Sequence, residues 1–248
     1  MIRYRNLFLI TLLGAVSGIM VAAILFQQSQ PSLDDLSQKI LIQQLGSQDN
    51  DTAQMAAEDL AYYGLLFDGT LENVELDRAN LAGANLDDAH LVGTSLVSAQ
   101  FGGTTLNRIN LTGANLERAN FYLGTLPGAI LRNANLVSAD LRIANLAGVD
   151  FCEANIQDGM LNGSNMQNAN FSGANLQRVW LMDSFLQGSD LRGADLTDAD
   201  LTGAQLAEVL IDEVTRLPDG TFWTSTTDLT RFTNADHPAY WPPPRARS

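Results

Sequence analysis

The sequence predicts an all-β solenoid, a β-helix built from five-residue units. Three observations carry this reading. Every fifth position from Leu71 to Leu206, 28 in all, holds Leu, Phe, Ile or Met without a break. Two places before each such residue, called i here, 16 of the 29 positions from Gly69 to Val209 are Ala, and the rest are Gly, Ser, Thr, Val or Ile. Between them, position i−1 is Asn or Asp in 16 of the same 29 units. A fixed internal period is the mark of a repeat architecture.

A period of five fits neither regular element alone. In a helix each step of five turns about 140°, so the leucines would coat every side and form no face. In a straight strand an odd step sends successive leucines to opposite faces. The compact residue at i−2 resolves this. With i−2 and i pointing in and i−1 pointing out, three residues make a strand fragment, and i+1 and i+2 turn the chain. Glycine is frequent at i+2, as at Gly83, Gly103, Gly163 and Gly203, where a tight corner needs φ > 0. Phe101 and Phe121 are 20 residues apart, as are Phe151 and Phe171. With four sides per turn each pair stacks on one side, about 4.8 Å apart, and with three sides neither pair aligns.

The units Ala114-Asn115-Leu116-Glu117-Arg118 and Ala194-Asp195-Leu196-Thr197-Asp198 resemble the A(N/D)LXX motif of the pentapeptide repeat family. The resemblance covers residues 65–211. It implies a right-handed quadrilateral β-helix with four repeats per coil, here about seven coils and roughly 34 Å long. It implies little about function.

The ends read differently. Leu7 to Phe26 is a run of 20 residues without charge, preceded by Arg3 and Arg5. That is the length of a transmembrane helix, and the flanking charges place residues 1–6 in the cytoplasm. The expected localisation is then a single-pass membrane protein with its repeat domain in a periplasm or thylakoid lumen. A cleaved signal peptide is the competing reading. Residues 27–64 read as a linker with capping helices. In the first, Ser32 and Asp35 form a capping box and Leu33, Leu36, Ile40 and Leu41 recur at helical spacing. The second runs from about Asp51 to Tyr63, with Met55, Leu60 and Tyr63 on its apolar side. Residues 212–248 drop the period. Pro218-Asp219-Gly220 signals a turn, and the aromatic residues Phe222, Trp223, Phe232, Tyr240 and Trp241 suggest a cap over the last coil, followed by a Pro/Arg tail.

Signals for catalysis are absent. The chain has two histidines, His90 and His237, and one cysteine, Cys152, and none sits in a metal-binding, phosphate-binding or nucleophilic motif. No catalytic residue, cofactor or metal is expected, and the protein reads as non-enzymatic. Its net charge of −14 invites comparison with nucleic-acid mimics, and the resemblance extends to family members thought to inhibit topoisomerases. Residues 66–211 carry 17 acids and 7 arginines. A rod of that length in duplex DNA would carry about 20 charges. The rod has half of that, interrupted by arginines, so the DNA mimic is the alternative reading and nucleic acid is not an expected partner.

A more particular signal lies in the i−1 column. Met160, Trp180 and Phe185 occupy outward slots that are mostly polar. Met160 and Trp180 are 20 apart on one side, Phe185 begins the next side, and Met182 projects between them. Together they form a candidate interaction patch for a protein partner or a second copy of the chain, unless the C-terminal segment folds back over them. The expected function is that of a scaffold or protein-interaction rod held at a membrane.

Overall fold

The computed structural model describes residues 33–244. Their organising feature is a parallel ladder that joins residues 20 apart, from Glu75↔Ser95 through Asn115↔Asn135 to Asp190↔Leu210. Each step therefore spans four five-residue units. From Glu75 to Leu210 every residue of this ladder is an i−1 residue, while i−2 and i are buried on either side of it from Leu76 to Ala204. The rings of Phe101 and Phe121 stack with centroids 4.7 Å apart at 2°, and those of Phe151 and Phe171 at 5.0 Å and 7°. The twenty-residue spacing of these aromatics anticipates this stacking.

The sides are shorter than the three-residue strands expected. Among the described residues each side is a single isolated bridge. The reason lies in the backbone hydrogen bonds, which can be assigned completely within one unit. Asn115 N–H donates to the preceding coil at Thr94 O (2.8 Å), and Leu116 N–H donates to the following coil at Asn135 O (2.7 Å). Arg118 N–H also reaches the following coil, at Val137 O (2.9 Å). Ala114 N–H closes the turn behind it onto Leu111 O (3.0 Å). The remaining donor, Glu117 N–H, is satisfied by the side chain of its own unit, Asn115 Oδ1, at 3.3 Å. The turn thus claims the N–H of the inward residue i−2 as well, and continuous side pairing is left to i−1 and i.

This last bond explains the i−1 column. All 16 Asn and Asp residues of that column accept a hydrogen bond from the N–H two residues on, from Asn80 to Asp200. Asn and Asp side chains bond in this way at turns. Their amides also form ladders between coils, such as Asn135 Nδ2 to Asn115 Oδ1 at 3.0 Å.

The corner residue i+2 has φ between 53° and 73° at all 28 positions from Asn73 to Glu208. Positive φ at the second central residue is the geometry of a type II turn. Glycine occupies 11 of these positions and other residues 17, so the corner imposes the left-handed conformation whatever its residue.

The i−2 column also accepts hydroxyls when they find a carbonyl. Thr94 and Ser164 donate to Leu91 O and Leu141 O, at 2.7 and 2.6 Å. Ser189 is the exception, with a fully buried Oγ that has no hydrogen-bond partner. Replacing it with the column's usual residue, Ser189→Ala, should raise unfolding free energy by about 1 kcal/mol, measured by urea denaturation. A loss of stability would mean that the hydroxyl does make a bond.

Two helices close the first coil. The helix α1 is Asp35–Leu45 and α2 is Asn50–Tyr62. Ser32 of the expected capping box lies outside the described residues. The apolar stripe expected for α1 is corrected. Leu36 is 69% exposed and Ile40 is also exposed, whereas Leu45 is buried with Leu41 and Ile42 beside the core. In α2 the buried face is Ala53, Ala56, Ala57 and Leu60, and Met55 is 59% exposed. Alanines let α2 approach the coil closely, with Leu60 beside them on the buried face, while Met55 turns away. Asp49 caps α2 by accepting from Thr52 N–H at 3.0 Å. The coil's edge carbonyls are satisfied by this region. Asn50 Nδ2 and Gln54 Nε2 donate to Ala82 O at 2.8 and 2.6 Å.

At the other end the period slips by one residue. Asp195 pairs with Arg216, 21 positions on. Thr215 and Leu217 are buried as a shifted i−2 and i pair. Arg216 then pairs with Phe222 in an antiparallel hairpin whose turn holds Gly220 at φ 79°. A short helix α3, Thr230–Thr233, places Phe232 against the core, with Trp241 edge-on to it at 6.1 Å.

The localisation expected from the sequence is corrected. The segment 7–26 lies outside the described residues. Among those described, no helix is long and apolar enough to cross a membrane. The longest, α2, has 13 residues, where about 20 are needed. The single-pass reading, with its cytoplasmic N-terminus, membrane partner and periplasmic or lumenal repeat, is therefore not carried forward.

Candidate interaction surface

Corners stack as sides do. The i+1 residues Tyr122, Arg142, Asn162 and Met182 form one column, and the i+2 residues Leu123, Ile143, Gly163 and Asp183 form its neighbour. Backbone bonds tie them together: Leu123 N–H to Arg142 O (3.2 Å), Ile143 N–H to Asn162 O (3.0 Å) and Gly163 N–H to Met182 O (2.9 Å). A groove of about 380 Å³ runs along this corner, lined by Tyr122, Arg142, Ile143, Asn162, Gly163, Met182 and Asp183. Arg142 lies over the Tyr122 ring, 5.6 Å from its centroid, and holds Asp140 through two hydrogen bonds of 2.8 and 2.6 Å. The hydrogen bond to Asp140 pushes the Arg142 guanidinium further above its ordinary range.

Of the four residues singled out from the sequence, Met182 lines this groove, and the other three are i−1 residues of the sides before and after the corner. Met160 and Trp180 pair directly across two coils and are half-buried. Met182 lines the groove and is half-buried, and Phe185, on the next side, is 37% exposed. None of the three i−1 residues, Met160, Trp180 and Phe185, carries an oxygen for the bond that Asn and Asp supply to the corner. Each replaces a stabilising group with an apolar one.

The structure widens this surface. Leu123 is 51% exposed at φ 58°, and Ile143 is 53% exposed at φ 56°. They are the two apolar residues among the 17 non-glycine corner positions, and they stand 20 apart on the same corner. A β-branched residue in the left-handed region is an outlier and costs on the order of 1–2 kcal/mol. Sequence reasoning missed Ile143, although the i+2 column marks it once positive φ is required there. It also missed Ile130 and Leu210, apolar i−1 residues on a different side, both exposed. At the far end Tyr240 Oη meets Thr202 Oγ1 at 2.8 Å and Thr233 O accepts from Gly203 N–H at 2.7 Å. The C-terminal segment thus closes the corner one coil beyond Met182.

Elsewhere on the surface several arginines are paired with aspartates. Arg108–Asp88, Arg132–Asp150, Arg178–Asp158 and Arg192–Asp190 lie within 2.6–2.9 Å. The hydrogen bond from Arg192 holds the Asp190 carboxyl below the usual range. Such exposed pairs stabilise little, but they break up the acidic surface. Cys152 is half-buried and its Sγ lies 3.5 Å from Arg132 Nη2. Among the described residues no group of three or more His, Cys, Asp or Glu side chains is arranged to hold a metal ion.

The sequence pattern of pentapeptide repeats matches in eight copies over residues 75–113, 94–133, 125–158, 153–188 and 181–210. Together they span more than half of the 248 residues. The chain belongs to the pentapeptide repeat family. Membership carries with it the right-handed β-helical solenoid. Among solved structures, this pentapeptide repeat protein is similar to HetL, involved in heterocyst differentiation regulation in the cyanobacterium Nostoc sp. strain PCC 7120, with 23% identity. That match covers 67% of this chain and 98% of HetL, with a TM-score of 0.35. It is also similar to Rfr23 from the cyanobacterium Cyanothece 51142, at 28% identity over 59% of this chain and 86% of Rfr23, with a TM-score of 0.32. A third similar structure is QnrB1, a plasmid-mediated fluoroquinolone resistance protein, at 20% identity over 57% of this chain and 90% of that one, with a TM-score of 0.32. No curated protein matches the chain.

Proposed function

We propose that this pentapeptide repeat protein is a non-enzymatic protein-interaction rod that binds a partner through the apolar corner and its flanks. In this reading residues 65–211 form a four-sided body of about seven coils, supported by the twenty-residue bridge spacing. Residues 27–64 and 212–248 flank it as linker, caps and tail. The observation that carries the function is the exposed apolar set of Tyr122, Leu123 and Ile143 on one corner, with Phe185 exposed on the next side. Three of the four sit where the repeat would be better served by Gly, Asn or Asp. Large exposed apolar patches mark interaction sites.

The alternative, an acidic nucleic-acid mimic that binds a DNA-acting enzyme such as a topoisomerase, has less support. The arginines of the solenoid neutralise the acids beside them, so no side presents an unbroken row of negative charge. Affinity capture with the wild-type chain, compared with Trp180→Asp and Phe185→Asp, tests the proposal. A partner retained by wild type and lost from both variants, with their thermal midpoints kept, is the expected result. A partner retained equally by all three chains contradicts it.

A further inference from the structure

The groove narrows the nature of the partner. Building on the interaction rod, and resting on it, we propose that the corner from Tyr122 to Met182 receives a cationic amphipathic helix. Charge comes first. The chain carries a net −14, so a second copy would bring like charge against like. Around the groove Arg142 already neutralises Asp140. Asp183, in the lining, and Asp200, which follows Trp180 in the ladder, leave an acidic rim that a lysine- or arginine-bearing partner complements.

Spacing comes second. The groove's wall repeats at the coil spacing of about 4.8 Å. A helix presents one face at every turn, about 5.4 Å, whereas same-face side chains of an extended strand fall about 6.7 Å apart. Three coil steps from Tyr122 to Met182 cover about 14 Å, the length of roughly ten helical residues.

Asn162 stands in the lining between Arg142 and Met182. The apolar face of the helix covers Ile143, Leu123 and Met182, and its basic residues lie against Asp183 and Asp200.

The test is fluorescence anisotropy with a labelled peptide of about 14 residues, lysine and leucine in helical register, titrated with the full chain. Wild type should bind it. Ile143→Asp should weaken binding by roughly tenfold or more, although the added acid would strengthen bare electrostatic attraction. Ile130→Asp, on a different side, should keep the wild-type affinity, and a matching glutamate–leucine peptide should not bind. Ile143→Asn serves if the aspartate variant fails to fold, since Asn already occupies the same corner position at Asn133 and Asn168. Equal peptide binding by the Ile143 and Ile130 variants would overturn the proposal. So would binding of the acidic peptide, a wild-type chain that fails to bind the basic one, or a wild-type dimer that Ile143→Asp dissociates in sedimentation. A captured partner that still depends on Phe185, alongside failure of the basic peptide, would remove the cationic helix and leave the interaction rod standing.

Discussion

Phe121→Ala should lower unfolding free energy by about 3–5 kcal/mol. Phe121 is fully buried, and its ring lies parallel to Phe101 in the coil below, 4.7 Å away. The deletion therefore removes a large side chain and one member of a stack. Its inward neighbours, Ala119 and Leu126, are held in place by bonds to adjacent coils, such as Leu126 N–H to Asn145 O at 2.8 Å, so they cannot close the hole. A solenoid also depends on contacts between neighbouring repeats. A cavity at one coil weakens the coupling between the segments on either side of it. Urea denaturation followed by circular dichroism should show a lower midpoint and a broader transition. A change below about 1 kcal/mol would mean that the coil collapses around the hole, against the packing described.

Phe232→Ala should have the second largest effect, about 3–4 kcal/mol, and a local one. Phe232 is 2% exposed and holds α3 and Trp241 against the last coil. Trp241 N–H bonds back to Arg231 O at 2.9 Å, and Thr233 O takes Gly203 N–H at 2.7 Å. Losing the phenyl ring should release this cap and open Leu201 and Leu217 to water. Terminal repeats need such covers. Hydrogen exchange should quicken at amides of residues 191–217 and stay slow at Leu76 to Leu96, where α2 covers the other end. Uniform acceleration along the rod would contradict the assignment of Phe232 to the cap.

The solenoid was legible because its information is columnar. Leu116, Ala114 and Asn115 each predict a direction, and one unit predicts the next. The paired phenylalanines pointed to the twenty-residue step for the same reason. The flanking helices were less legible. Alanine at 53, 56 and 57 buries α2 without a strong apolar pattern, while Met55 imitates a core residue and faces outward. The length of the sides was not legible either, since a three-residue in-out-in pattern does not reveal that turn bonds consume the backbone around it. The patch was half legible. Met160, Trp180 and Phe185 stood out as apolar entries in a polar column, but Ile143 carries its signal in φ, and that becomes visible only when every corner adopts the left-handed conformation. The run at 7–26 is a compositional signal to which the described structure adds no spanning helix.

The central claim is that the corner keeps apolar residues for binding and not for folding. Ile143→Asn tests it most directly when stability and peptide affinity are measured on the same protein. Asparagine tolerates positive φ better than a β-branched residue, and relief of about 1 kcal/mol of strain should offset the lost contacts. The predicted result is an unfolding free energy within about 0.5 kcal/mol of wild type, with affinity for the basic amphipathic peptide reduced roughly tenfold or more. A variant that loses more than about 2 kcal/mol of stability, or that binds the peptide as wild type does, would contradict the account.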